Sequence, residues 1–271
     1  MTATREVYDR IRGFWDKDPC GSTHVSPERG TKEFFLAVDK YFKMLYPYLD
    51  EFLDAKNLAG KRVMEIGLGS GYTLHQIAQN AKAVYGLDLS FETLRLNQSR
   101  AKHFGLGIHL LHASATKLPL PDECLDEVVS IGCIHHIPDI EQAIDEICRV
   151  LRPGGIFKGM VYNKNSYRYY VSIPLARRFS ARWRGKTQGQ CVNEMYDGSG
   201  NPYGTVYSKK EMVQLLSGFT QIQFQVQNFS GHDVIPKVGD LIPRRFWLET
   251  LGKVAGLDLY FLAVKPGLKG L

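Results

Sequence analysis

The chain has 271 residues, 44% hydrophobic and 23% charged, the proportions of an ordinary soluble globular protein, which exclude a disordered or fibrous chain. Its length allows one large α/β domain or two small ones. The 34 basic and 28 acidic side chains leave a net charge of +6, which permits an acidic partner without demanding one.

Five cysteines (Cys20, Cys124, Cys133, Cys148, Cys191) form no CxxC pair. An odd number without that spacing argues against a disulfide framework or a zinc site and for reduced thiols in a cytoplasmic protein. The N-terminal MTATREVYDRIRGFW carries charges and lacks an apolar signal core. An apolar run of about 18 residues, as a membrane span would need, is not found.

In chain order, Arg5–Trp15 has apolar or aromatic residues at helical spacing, and Asp18–Gly30 reads as a loop by its Pro, Gly and Ser content. Thr31–Leu53 predicts a long amphipathic helix, or two, broken or kinked at Pro47. Short apolar runs then alternate with helical stretches. The runs are RVMEIG, AVYGLDL, IHLLHAS, EVVSIG and IFKGMVY; the helices are YTLHQIAQN, FETLRLNQSRAKHFG and IEQAIDEICRVL. Such alternation predicts βαβ units and a parallel sheet. LRPGG (Leu151–Gly155) reads as the end of a helix before the next strand. Ser208–Phe219 predicts a helix capped by Ser208; Gln221–Gln227 reads as a strand near an edge and Leu257–Lys265 as a last strand. Ahead of these, seven basic residues and no acidic one lie from Tyr162 to Gln190.

The strongest local signal is VMEIGLGSGY, Val63–Tyr72. A buried strand ends in Glu65, Gly67, Gly69 and Gly71 follow, and a helix begins. Glycines allow tight turns and close approach of a ligand to the main chain, and a helix N-terminus offers free N–H groups. The dinucleotide fingerprint GxGxxG would need glycine where Tyr72 stands, so the spacing here is GxGxG. Asp88 ends the next strand, where an acid suits the vicinal hydroxyls of a ribose. The alternative for Asp88 is a helix cap, for which Ser90 competes.

Together VMEIGLGSG, VYGLDLS, ATKLPLPDECLDEVVSIGCIHHIPD and AIDEICRVLRPGG, over about Leu58–Val161, resemble the class I S-adenosylmethionine-dependent methyltransferases. The resemblance is to the methyltransferase type 11 and ubiquinone/menaquinone methyltransferase-like group. It implies an α/β fold: a Rossmann-like, seven-stranded, mostly parallel sheet with helices on both faces. An N-terminal helical lid (1–57) would precede a methyltransferase domain (58–271) with a substrate-side helical insert at about 163–207. It also implies S-adenosylmethionine as cofactor, no metal, and a cofactor set of Glu65, Gly67, Gly69, Gly71, Asp88, Leu89, Ser114, Ala115 and Ile131. Asp88 would bind the ribose and Leu89 pack on the adenine. Where related sequences carry an acid for the adenine amino group, this chain has Ser114, whose hydroxyl or a main-chain group would substitute.

His135 and His136 follow the fourth strand, at the end of the sheet where ligands bind, and are the candidate catalytic groups; core packing is the alternative. Tyr8, Trp15, His24, Tyr162, Asn163 and Tyr167 are candidates for the acceptor's walls, with ordinary helix or surface packing as the other reading. Methyl transfer is an in-line displacement from an already activated sulfonium. The protein has to align the reacting atoms and exclude water, and a base is needed only when the nucleophile bears a proton. The expected function is therefore methylation of a small molecule at oxygen, nitrogen or carboxylate, by a monomer or homodimer without a membrane partner. The alternative is a methyltransferase acting on RNA or a peptide or protein, suggested by the basic Arg177–Lys186 stretch with Phe179 and Trp183; nucleic acid is the less favoured partner.

Overall fold

The computed structural model describes residues 2–234 and 239–267. The outermost residues of the expected division, 1 and 268–271, lie outside these. The chain opens with α1 (Thr2–Lys17), α2 (Lys32–Leu45) and the short α3 (Leu49–Leu53). Thr31 caps α2 by accepting a hydrogen bond from Phe34 N. Pro47 falls in the gap between α2 and α3, so the predicted stretch is two helices, not one kinked helix.

The alternating units are β1 (Arg62–Ile66), α4 (Tyr72–Ala78), β2 (Ala83–Asp88), α5 (Phe91–Phe104), β3 (His109–His112), β4 (Leu125–Ile131), α6 (Ile140–Val150) and β5 (Leu151–Asn163). After β5 come a π-helical turn at Arg168–Ser172, α7 (Ile173–Phe179) and α8 (Gln188–Asp197). The rest of the described chain forms β6 (Val206–Tyr207), α9 (Lys209–Leu215), β7 (Thr220–Gln227), α10 (Arg244–Glu249), α11 (Gly252–Ala255) and β8 (Asp258–Val264). A capping box between Ser208 and Glu211 starts α9.

The sheet runs in the order β3-β2-β1-β4-β5-β8-β7, with β1 to β5 parallel and β8 antiparallel between β5 and β7. The seven expected strands make up this order, and an eighth, β6, pairs with β5 off it at Tyr162–Val206 and Asn163–Tyr207. Two residues inside an irregular insert carry no alternation to read. LRPGG also behaves differently from its expectation. Helix α6 stops at Val150, Leu151 already pairs with Leu125, and the register then jumps to Glu127–Ile156, so Arg152–Gly155 bulges out of the strand.

Alternate strand residues point to opposite faces. Met64, Ile66, Val128 and Phe157 pack with Ile144 and Ile147 of α6 and Met212 of α9. Val63, Val84 and Val129 pack with Leu49 and Leu53 of α3 and Leu74 and Ile77 of α4. Helices therefore cover both faces. Each such aliphatic side chain contributes about 1.5–3 kcal/mol by leaving water, and slipping β1 by one residue would swap the two sets between the faces and carry Glu65 in among the α6 side chains.

Strand order reverses around β1, which lies between β2 and β4. That leaves a crevice at the carboxyl ends of these strands, the place where open α/β sheets bind ligands. Helices α1 and α2 both pack on α5. Among the described residues no helix is long and apolar enough to cross a membrane.

Candidate active site

The crevice holds a cavity of about 1240 Å³, counted to its open mouth. Its floor is the turn after β1. Gly67 and Gly71 have φ of +79° and +82°, which residues with a Cβ rarely adopt. A Cβ on Gly67 would also lie 2.3 Å from Cys133 Sγ, and one on Gly71 would lie 2.0 Å from Asn97 Oδ1. Protein neighbours thus demand glycine at both positions. The turn is held from three sides. Gly67 N donates to Leu87 O (2.9 Å), Ser70 N donates to Cys20 O (3.0 Å), and Asn97 Nδ2 donates to Gly69 O (2.9 Å). Tyr72, which departs from the dinucleotide pattern, stacks on Phe42 of α2 and donates its hydroxyl proton to Asp50 of α3.

Asp88 binds the turn directly. Its Oδ2 accepts from Leu68 N and its Oδ1 from Ser90 N, each at 2.8 Å. Ser90, not Asp88, caps α5, accepting from Thr93 N at 3.0 Å. Burial pushes the Asp88 carboxyl up to about 6, with the two N–H donors pulling against that and Asp16 adding to it. Glu65 is buried and held well above the usual carboxyl range by burial and by Asp88. Its Oε2 and the hydroxyl of Ser70 are buried without a hydrogen-bond partner. Such orphaned polar atoms around a glycine cradle suit a polar, cationic ligand.

Helix α1 closes one side of the cavity with Tyr8, Ile11 and Trp15. Tyr8 Oη donates to Asp139 Oδ2 at 3.1 Å, and Asp16 Oδ1 accepts from Ser90 Oγ at 2.7 Å. The helix is thus pinned to the segments that follow β4 and β2.

The opposite wall holds His136, Tyr162 and Asp197. Tyr162 Oη donates to Asp197 Oδ1, and burial together with Asp197 raises its hydroxyl well above the usual phenol range. His136 Nδ1 lies 2.8 Å from Tyr203 O, and its Nε2 lies 3.7 Å from Asp197 Oδ1. Trp15 meets the His136 ring edge-on at 5.4 Å.

All nine expected cofactor residues, Glu65, Gly67, Gly69, Gly71, Asp88, Leu89, Ser114, Ala115 and Ile131, line this one cavity. Ser114 Oγ also hydrogen-bonds Thr116 Oγ1 at 2.8 Å. Tyr8, Trp15, His136 and Tyr162 line it too.

Four expected residues are seated elsewhere. His135 is fully buried between His136 and Tyr162, with centroids at 4.1 and 4.0 Å, and burial and His136 push its protonation well below the usual histidine range. It is the packing partner behind His136. His24 is exposed and stacks on Tyr41. Asn163 is buried, its amide donating to Gly256 O at 2.8 Å and accepting from Asn165 N, which ties β5 to the end of α11. Tyr167 packs edge-on against Phe229. Cys20, Phe42, Tyr46, Cys133, Met160 and Asp197 line the cavity without having been expected there. Burial and the nearby Asp88 and Glu65 carboxyls keep the Cys133 thiol uncharged.

Comparison with known proteins agrees with this geometry. Residues 64–158 match the model of a methyltransferase domain family. A probable S-adenosylmethionine-dependent methyltransferase of Mycolicibacterium smegmatis is 39% identical over 121 residues, which are 45% of this chain and 46% of that protein. A fatty-acid O-methyltransferase of the same species is 36% identical over 103 residues, 37% of each chain. The alignment therefore spans less than half the length of either relative. The YcgJ protein of Bacillus subtilis superposes with a TM-score of 0.57 at 18% identity, covering 82% of this chain and 99% of that one, a likeness of fold. Residues 64–158 are thus similar to a methyltransferase domain, and the sheet order and the turn after β1 agree with that likeness.

Proposed function

We propose that the protein transfers a methyl group from S-adenosylmethionine to a small molecule. One observation carries this reading: a single cavity is lined both by the glycine turn, Glu65 and Asp88 and by His136, Tyr162 and Trp15, and α1 is pinned along it.

When bound, the cofactor supplies a methyl group on a positively charged sulfur. Glu65 and Ser70 would meet its charged methionine end with their orphaned oxygens, and Asp88 would accept from the ribose hydroxyls. Ile131, Leu89 and Ala115 offer apolar surface to the base, with Ser114 as the polar contact. Residues 1–57 act as the lid and 58–271 as the transferase domain. The insert at about 163–207 supplies the acceptor's far wall through Asp197. Exclusion of water by α1 serves the displacement, which gains most from alignment.

The recessed, largely apolar lining, with α1 fastened along one side, favours a small acceptor over a polymer. The basic stretch does not require RNA: Lys186 is paired with Glu194, Arg177 Nε donates to Lys186 O at 2.8 Å, and the Arg182 guanidinium lies over Trp183. The relative named for fatty acids acts on a small lipid, which supports the same size class. The test is incubation with methyl-labelled cofactor and either a panel of small hydroxyl, amine and acid compounds, or total RNA and protein. Label in an extractable small molecule is expected; label confined to RNA or protein contradicts the reading.

A further inference from the structure

Three carboxyl groups line the cavity, Glu65, Asp88 and Asp197, and among the described residues no lysine or arginine does. Two of them lie by the glycine turn. Asp197 stands apart, at the end of α8, with a side chain 8% exposed. It is held from both oxygens: Tyr162 Oη donates to Oδ1, and Asn201 Nδ2 donates to Oδ2 at 2.8 Å. An acceptor that brings a carboxylate or phosphate to this wall would place like charges together beside Asp197, with no lysine or arginine in the lining to offset them.

The neighbouring histidine shows what kind of acceptor the wall suits. A carbonyl oxygen can only accept, so the 2.8 Å contact with Tyr203 O puts a proton on His136 Nδ1. In the neutral ring the lone pair is then on Nε2, which is buried, without a hydrogen-bond partner, and 3.7 Å from Asp197. That nitrogen is placed to take a proton, and once it has done so Asp197 stabilises the resulting cation.

Resting on the methyl-transfer reading above, we infer that the acceptor offers a neutral, proton-bearing nucleophile, a hydroxyl or an amine on an apolar molecule, and not a carboxylate. His136 is the proton-accepting catalytic residue and Asp197 its positioning residue. The O–H or N–H proton passes to His136 Nε2 as the freed lone pair bonds to the methyl carbon. The methyl–sulfur bond breaks with its electron pair going to sulfur, which leaves as a neutral thioether, and His136 later releases the proton to solvent. Tyr8, Ile11, Trp15, Ile137 and Met160 provide the apolar surroundings.

The test uses the full chain loaded with S-adenosylhomocysteine and three probes of one shape: para-butylphenol, para-butylaniline and para-butylbenzoate. At pH 8 the phenol and aniline are expected to bind about tenfold or more tightly than the benzoate. Asp197→Asn, which keeps the size and the Tyr162 contact, should narrow that gap by improving benzoate binding. Equal or tighter binding of benzoate by the native chain, or binding of none of the three, overturns the inference while leaving methyl transfer intact. Failure to bind S-adenosylhomocysteine overturns the reading beneath it. A second readout follows the His136 imidazole by NMR, assigned with His136→Asn. Asp197 of α8, His135 on its own turn, Tyr162 of β5, Trp15 of α1 and the Tyr203 carbonyl face this ring, and Asp197 is the charged group among them. The ring's nitrogen shifts should show the proton on Nδ1 and a bare Nε2, and the Nε2 shift should change in Asp197→Asn; a proton on Nε2 overturns the role given to His136, and an unchanged Nε2 shift the role given to Asp197.

Discussion

Ser90 Oγ and Asp16 Oδ1 meet at 2.7 Å across 74 positions of sequence, fastening α1 to the cap of α5 just beyond Asp88. Asp16 also lies at the positive end of α5, with Glu92 N at 3.4 Å, where a carboxylate is favoured. Removing it as Asp16→Ala should free one end of the lid without disturbing the Ser90 cap. A hydrogen bond to a charged group is worth about 1.5–3 kcal/mol, so S-adenosylhomocysteine should dissociate roughly tenfold faster or more. Stopped-flow release measures this, and an unchanged rate would show that α1 does not retain the ligand.

Asp88 predicts a pH dependence. Its carboxyl titrates at about 6 in the ligand-free fold, raised from 3.8. The ionised form accepts from both ribose hydroxyls, so affinity for S-adenosylhomocysteine should be level above pH 6 and fall by about tenfold per unit below it. Asp88→Asn should bind weakly at pH 8 and lose the slope. The sign for stability is the reverse. The fold holds this proton more tightly than the unfolded chain does, so Asp88 makes the ligand-free protein less stable as pH rises from 3.8 to about 6. Calorimetry at pH 5, 6 and 8 reads the binding; a flat profile would mean that Asp88 is not the ribose partner.

Arg100 is a buried strut beneath the turn. Its guanidinium binds Asp39 Oδ1 at 2.9 Å, donates to Ser70 O at 3.1 Å and to His75 Nδ1 at 2.9 Å, and lies over Phe35. Arg100→Met should cost about 3–5 kcal/mol in urea unfolding, because Asp39 is left without its partner in a poorly hydrated place. Asp39→Asn in the same chain should recover part of that loss. A cost near zero for the single change would contradict the strut.

Gly71 offers a test that separates two causes. Gly71→Ala meets both a φ of +82° and Asn97 Oδ1 at 2.0 Å. It should lower stability by about 1–3 kcal/mol or more and weaken ligand binding. Adding Asn97→Ala removes the Oδ1 collision but leaves the backbone strain and the 3.1 Å approach to Arg100 Cδ, and it takes away the hydrogen bond to Gly69 O, so it should recover binding only in part. Full recovery would show that the conformation itself carries no strain.

The turn and Asp88 were legible in the sequence because their geometry is local: strand, glycines and helix follow one another within a few residues, and the next strand brings Asp88 alongside. His136 and Tyr162 were legible for the same reason, each following a strand at its carboxyl end. Spacing does not say which of two adjacent histidines faces a cavity. The short helical turn at Ile134–His136 turns His136 outward and leaves His135 behind it. Asp197 gave no sign of itself. It ends a helix in an insert without motif, and only the fold of residues 163–207 brings it to His136. Cys20, Phe42 and Tyr46 reach the cavity from the N-terminal segments, whose packing on α4 and α5 depends on contacts across the whole chain. His24, aromatic and polar in the same region, was drawn instead to Tyr41. Strand β6 stayed hidden because two residues show no period.

The central claim is that the turn after β1 and Asp88 form the site of an S-adenosylmethionine-type ligand. The most direct measurement is calorimetric titration of the purified chain with S-adenosylhomocysteine, with NAD as the control. The account predicts saturable one-to-one binding of S-adenosylhomocysteine, lost in Asp88→Ala, and no heat from NAD. Binding of NAD, or S-adenosylhomocysteine affinity unchanged in Asp88→Ala, would contradict it.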